Sequence, residues 1–165
     1  MSLKISSLDI FTVSFFGHRY ISNLSKIESL LEEQIRGLLR DKEYVDFLVG
    51  NNGDYDRVVS STIKRMKRSY RDDNSSHVLV LPYVTAEYQN NEKYFHDFYD
   101  EVEVSSNSAM AHFKAAIQLR NRDMVDRSNL IMCYVENSHG GAYQTMQYAI
   151  RNGKTVINLA TQDVE

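Results

Sequence analysis

The chain holds one cysteine, one proline, no tryptophan and seven glycines in 165 residues. A lone cysteine, Cys133, excludes an intramolecular disulfide and a thiolate cluster for zinc, and suits a reducing compartment such as the cytoplasm. The scarcity of Pro and Gly excludes a fibre or a low-complexity linker. No apolar run approaches the ~20 residues that span a bilayer, and the opening Met-Ser-Leu-Lys lacks the hydrophobic centre of a signal peptide. The expectation is a protein neither exported nor embedded. Excess charge is missing as well. With 19 basic and 22 acidic residues the net charge is -3, so nothing draws in a phosphate backbone over the whole surface, and nucleic acid is disfavoured as a partner.

The remainder is ordinary globular composition, 42% hydrophobic and 25% charged. That is enough for one core and one domain over 1–165, with 1–8 and 161–165 peripheral. From Ile10 to Phe16 the chain is apolar and β-rich, then breaks at Gly17-His18-Arg19. Ile27, Leu30, Leu31, Ile35, Leu38 and Leu39 recur at three and four, with Asn23 or Ser25 placed to cap, and predict a helix over 25–40. The pattern repeats with a strand over 44–49, a loop at Gly50-Asn51-Asn52-Gly53 and a helix over 54–70. A third strand, 78–81, closes at Pro82. Residues 85–100 show no clean period and read as an excursion with one helical turn. A strand over 99–104, a helix over 109–126, a strand over 130–135, a helix over 141–151 and a strand over 155–159 complete the order. Strands alternating with helices predict an α/β, Rossmann-like three-layer sandwich with a mainly parallel central sheet.

In such sheets ligands bind outside the carboxyl ends of the strands, where the glycine-bearing loops fall. The turn His139-Gly140-Gly141-Ala142 leads a buried strand into a helix, so helix-start amides lie beside glycines that leave room for a phosphate; Thr145 adds a hydroxyl in the same first turn. The alternative is a turn that needs glycine for its backbone angles alone. Asp56 stands where a ribose diol would want an acceptor or, equally, where it stabilises a helix start. Asn51 and Asn52 offer amide contacts or serve the turn. His18 and Arg19 suit an anion, or Arg19 pairs with a surface carboxylate. Arg120 shares a helical stripe with Ile117 and Met124, where a buried cation needs a carboxylate or a ligand phosphate; Leu119-Arg120 alternatively starts a new helix facing the crevice. The basic run Lys64, Arg65, Lys67, Arg68 and Arg71 reads as a solvated face. His77, His96 and His112 lack metal-ligand spacing, and Cys133 reads as inert core.

Four motifs in order, Phe16-Gly-His-Arg19, Gly50-Asn-Asn-Gly-Asp-Tyr-Asp56, Arg120-Asn-Arg-Asp-Met-Val125 and Gly140-Gly-Ala-Tyr-Gln-Thr145, cover most of the chain. Together they resemble the SLOG superfamily of Rossmann-like proteins, which includes the lonely-guy phosphoribohydrolases and the DNA-processing protein A group, and match its small bacterial members best. The resemblance implies binding or sensing of a nucleotide or nucleotide-derived small molecule, such as a relative of ADP-ribose, with Gly140, Gly141 and Thr145 at its phosphate and Gly17, His18, Arg19, Asn51, Gly53, Asp56, Arg120, His139 and Ala142 around it. It implies no metal and no cofactor, and it leaves a homodimer open. In the phosphoribohydrolases an Arg that looks equivalent to Arg120 and a Glu in the helix after the glycine pair support N-glycosidic cleavage. Gln147 stands closest to that Glu here, and Thr145 lies one position later than their pattern. A Gln neither takes a proton nor offers charge to an oxocarbenium-like centre. The expected role is therefore binding, with an N-glycosidase that uses Arg120 as its catalytic residue as the alternative. A DNA-handling role ranks third on the acidic balance.

Overall fold

The computed structural model describes residues 8–105 and 113–162. The terminal segments 1–7 and 163–165, the expected helix start at 109–112 and His112 lie outside them. β1 (Ile10–Gly17), β2 (Tyr44–Val49), β3 (Ser75–Leu81), β4 (Glu101–Val104), β5 (Leu130–Tyr134) and β6 (Thr155–Asn158) form one sheet in the order β4-β3-β2-β1-β5-β6. Every pairing in it is parallel. Parallel neighbours need crossovers, and each crossover places a helix against a face. α1 (Leu24–Asp41) and α2 (Asp54–Ser69) pack with one core, built on Phe15, Phe47, Leu79 and Met132. α5 (Phe113–Asp126) and α6 (Gly141–Arg151) cover a second core with Phe16, Leu48, Val80 and Cys133. The alternation of side chains along β1 sends Phe15 to one core and Phe16 to the other, which is why these strands read as continuous apolar runs.

Local chemistry explains most boundaries. Asn23, not Ser25, caps α1, accepting from the Lys26 amide at 3.3 Å. The excursion after Pro82 is not a single turn: it folds as α3 (Ala86–Asn90), capped by the Thr85 side chain, and α4 (Glu92–Phe98). Its aromatic residues have no clean period because they serve as a cover for the core; Phe95 and Tyr99 are buried and stacked with ring centres 6.2 Å apart. This segment delays β4 to Glu101, two residues later than its β-rich composition predicts. The basic run of α2 is not simply a solvated face. Arg65 bridges to Glu28 and Glu32 of α1, Lys64 donates to the Phe98 carbonyl, and Lys67 donates to the Ser75 carbonyl at 2.7 Å. These side chains tie α2 to its neighbours. Cys133 is fully buried, and burial pushes its thiol up to about 12, as expected of an inert core residue.

The loops after β1 and β2 are laced together. The Asp54 amide donates to the Arg19 carbonyl at 2.8 Å, the Ile21 amide donates to the Asp54 carboxylate at 3.0 Å, and the Tyr55 amide donates to the His18 carbonyl at 3.4 Å. Two glycines permit this approach. A Cβ at Gly17 would lie 2.3 Å from Cγ of the buried Tyr55 ring, and a Cβ at Gly53 would lie 2.5 Å from Cα of Arg19. Neither neighbour is a flexible chain end that can move aside. Gly17→Ala and Gly53→Ala are each expected to destabilise the fold by about 1–3 kcal/mol through overpacking, measured by chemical denaturation. Gly141→Ala is the control with a small effect, because its Cβ would meet only the Gln118 amide nitrogen, at 3.3 Å.

His77 is 1% exposed on β3, its Nε2 sits 2.9 Å from the Ser60 hydroxyl, and its Nδ1 has no hydrogen-bond partner. Burial lowers its pKa to about 3, with the Asp100 carboxylate opposing the shift and Lys64 and Lys67 adding to it. Unfolding returns the imidazole to water, where it binds a proton below about 6.5. The unfolded state then holds the extra proton, so stability is lost as pH falls from about 6.5 toward 3, at ~1.4 kcal/mol per pH unit. Between pH 7 and pH 5 this one residue removes about 2 kcal/mol. His77→Gln should flatten that part of the stability–pH curve by this amount in urea denaturation; an unchanged slope would refute the assignment.

Candidate functional site

A cleft of about 560 Å3 opens at the carboxyl ends of β1 and β2. β1 lies between β2 and β5, so chain order reverses there and the loops on either side diverge, which leaves a crevice. Phe15, Phe16 and Gly17 contribute the end of β1. The β1–α1 and β2–α2 loops supply His18, Arg19, Asn52 and Gly53, with Asp56 from the first turn of α2. The opposite wall is a face of α5, carrying Arg120, Asn121 and Met124, together with Gly141 and Ala142 at the start of α6.

Two helices begin at this cleft, and they are not equivalent. The first amides of α2 are taken by the carbonyls of His18 and Arg19, and its first turn carries Asp54 and Asp56. That start is already compensated, and its charge opposes an anion. α6 differs. Its N-cap, Gly140, adopts φ 94, offers no side chain to the first-turn amides and meets nothing within 4 Å where a Cβ would point. The turn thus needs glycine for its backbone angle, the second of the two sequence alternatives, and the space beside it is open.

Arg120 lies in the middle of α5 rather than at the start of a new helix. It is 3% exposed, donates through Nη1 to the Val80 carbonyl at 2.7 Å and through Nε to Asn121 Oδ1 at 2.8 Å. Burial pulls its pKa below the usual arginine value while the Asp56 charge holds it up. Asp56 answers from the far side of Gly50: a Cβ there would lie 3.0 Å from Asp56 Oδ2 and 3.4 Å from Arg120 Nη1. The Asp56 carboxyl also accepts from the Asn52 amide at 2.8 Å. Burial raises its pKa, against that amide and the cations of Arg120 and Arg19. A cation and a carboxyl of opposed tendencies therefore share one cleft, separated by a glycine that has no side chain to part them.

The residues expected at the site divide into two groups. Gly17, His18, Arg19, Gly53, Asp56, Arg120, Gly141 and Ala142 line the cleft. His18 also serves as a brace: its Nε2 accepts from the Glu136 amide at 2.8 Å and the Asn137 amide at 3.4 Å, tying the loop after β1 to the loop before α6. Asn51, His139, Gly140 and Thr145 are not on the cleft wall; Asn52 lies there instead of its neighbour. Thr145 is in the second turn of α6 rather than the first. It is 2% exposed, and its hydroxyl donates to the Gly141 carbonyl at 3.0 Å and accepts from Asn121 at 3.2 Å. Gln147 also lies away from the cleft, in a hollow between α5 and α6. Sequence reasoning missed Gly50, Gln118 and Asn121. The last two stand at i-2 and i+1 from Arg120, and the helical face through Ile117, Arg120 and Met124 is the signal that would have found them.

No helix among the described residues is long and apolar enough to cross a membrane, and the described residues form no cluster of three or more metal-ligating side chains. No family model and no curated protein matches the sequence. Solved structures do match. DNA processing protein A from Streptococcus pneumoniae superposes with a TM-score of 0.63 at 16% identity, over 89% of this chain and 49% of that one. DNA processing protein A from Helicobacter pylori, described with a single-stranded DNA binding mode, superposes with a TM-score of 0.61 at 14% identity, over 88% and 63% respectively. The chain thus spans roughly half to two-thirds of the neighbours it resembles. These neighbours correct one expectation. Net charge disfavoured nucleic acid as a partner, yet a protein of this fold is described as binding single-stranded DNA, and net charge reports an average over the surface that says little about a single crevice. The chain has a Rossmann-like fold of the DNA processing protein A type.

Proposed function

We propose that the cleft binds a nucleotide unit, free or within a single strand, with its phosphate at the α6 start and Arg19 and its sugar toward Asp56, and that the chain belongs to the SLOG superfamily and works in the cytoplasm. One observation carries this reading: three motif loops and the Arg120 motif of α5 meet in one switch-point crevice, which Gly141 and Ala142 at the uncapped start of α6 line together with Arg19 and Asp56. Glycine-flanked amides and a guanidinium suit a phosphate. A carboxyl beside it suits a ribose diol. Among nucleotide-derived small molecules, a relative of ADP-ribose meets these requirements without a metal or cofactor. Regulation by such a ligand would make the protein a sensor.

A second reading, phosphoribohydrolase chemistry, is favoured by the charges of Arg120 and Asp56 acting on one another in the same cleft. Gln147 lies outside the cleft, but Asp56 brings a carboxyl into it, and burial makes that carboxyl a better proton carrier near neutral pH than an exposed one. In this reading Arg120 offsets charge at the phosphate or leaving group, and Asp56 stabilises the sugar centre as the N-glycosidic bond breaks and water adds to C1.

Nucleoside monophosphates, ADP-ribose and a short single-stranded oligonucleotide form the binding panel. At a hundred times Kd, a ligand should add about 2.7 kcal/mol of stability, a melting-temperature rise of roughly 5–10 °C for a domain of this size. Arg19 is exposed, so Arg19→Ala should fold normally and weaken binding about tenfold or more, the loss of a charge-assisted phosphate contact. No shift from any member of the panel would overturn the binding reading. The hydrolase reading requires free base and ribose 5-phosphate from AMP at a rate that near-isosteric Asp56→Asn lowers at least a hundredfold; absence of product at high enzyme concentration rejects it.

A further inference from the structure

Beside the cleft lies a second hollow of about 380 Å3, between the outward faces of α5 and α6. Gln118 borders both spaces, and its amide nitrogen lies 3.3 Å from the point where a Gly141 Cβ would sit. The hollow is therefore contiguous with the site assigned to the phosphate, one side chain away. It is lined by Arg122 and Arg151, by the amides of Gln144 and Gln147, and by the rings of Tyr143 and Tyr148. No carboxylate lines it. Asp126, on the same helix as Arg122, is occupied by the Tyr148 hydroxyl at 2.7 Å.

Not every arginine of this chain is paired: Arg19, Arg68, Arg120, Arg122 and Arg151 reach no carboxylate of a described residue within 4 Å. Arg36, Arg40, Arg57, Arg65, Arg71 and Arg127 each reach a carboxylate within 4 Å. Arg122 and Arg151 do so with no described residue, although acidic residues outnumber basic ones overall. Arg122 rests instead 5.2 Å over the Tyr148 ring, which holds its guanidinium in place without neutralising it. Two cations without a carboxylate partner among the described residues, a set of carboxamides that both donate and accept, and two half-buried rings form a combination suited to a phosphate and a base together.

We propose that this hollow is a second-nucleotide subsite, so that the full ligand is two nucleotide units joined through phosphate, with the first in the cleft and the linking or second phosphate crossing Gln118 toward Arg122 and Arg151. The proposal rests on the nucleotide reading of the cleft and adds the length of the ligand to it. Either a pyrophosphate-linked small molecule or a phosphodiester-linked strand has this chemistry.

Isothermal titration of the full chain at fixed salt separates the outcomes, using AMP, NAD as two nucleotides joined through pyrophosphate, and a 5′-phosphorylated deoxyadenosine dinucleotide. At least one two-unit probe should bind ten times more tightly than AMP or better. The double variant Arg122→Gln/Arg151→Gln, both residues exposed, should keep the wild-type circular dichroism and melting temperature, bind AMP within twofold of wild type and lose most of the two-unit gain. The tighter of the two longer probes identifies which linkage the hollow accepts. If AMP binds and neither longer probe improves on it, or if the double variant keeps the gain, the subsite is overturned while the cleft reading stands. If no probe binds, both fall.

Discussion

The site depends on one packing contact, the ring of Tyr55 lying flat against the backbone of Gly17. Tyr55 is fully buried, its hydroxyl donates to the Met132 carbonyl at 2.9 Å, and its ring stacks with Tyr134 at 6.4 Å between centres. A residue from the first turn of α2 thus bridges the ends of β1 and β5, the two strands at which chain order reverses. Burial drives the phenol well above its ordinary pKa, so it stays a neutral donor at any pH the fold survives. With α2 fixed at this height, Asp54 reaches the loop after β1 and Asp56 turns into the crevice. The His18 brace to Glu136 and Asn137 then sets the opposite loop. Geometry across the cleft follows from two aromatic side chains and the glycine that admits one of them.

Electrostatics give the cleft its polarity. The α2 start is filled with its own backbone acceptors and two carboxylates, whereas the α6 start carries no acid in its first turn and no side-chain cap. Under the proposed reading this directs a phosphate to one side and a hydrogen-bond donor, such as a sugar hydroxyl, to the other. Arg120 belongs between them. Its burial would be prohibitive as a lone cation, and the Val80 carbonyl, the Asn121 amide oxygen and the nearby Asp56 charge make it tolerable without using its full donor set on any one carboxylate.

Much of the scaffold was legible because period and composition agree with tertiary demand. The runs at 10–16 and 44–49 are strands buried on both faces, and the three-four spacing of α1 is the stripe it buries. The excursion at 85–100 was illegible for the opposite reason: its aromatic residues satisfy a core above α2 rather than a helical face, so α3 and α4 leave no periodic trace. In the cleft, Gly17, Arg19, Asp56 and Gly141 could be read from loop position alone, since any strand–loop–helix unit in a parallel sheet brings that loop to the same edge. Thr145 and Asn51 misled because turn position does not determine side-chain direction. One residue along a helix rotates a hydroxyl by roughly 100°, which is enough to turn Thr145 into the interior and to hand its contact to Asn121.

The departure at Gln147 bears differently on mechanism once its location is known. Replacing an acid with an amide removes catalytic charge only where the side chain faces the reacting sugar, and Gln147 faces the hollow between α5 and α6. The acid that does enter the cleft, Asp56, comes from the opposite wall and is held by the Asn52 amide at 2.8 Å. Any bond cleavage would have to approach the sugar from the α2 side, with the phosphate anchored at α6. Only Oδ2 of Asp56 is engaged by the Asn52 amide, so under the proposed reading its other oxygen can meet a sugar hydroxyl from the α2 side without giving up that contact.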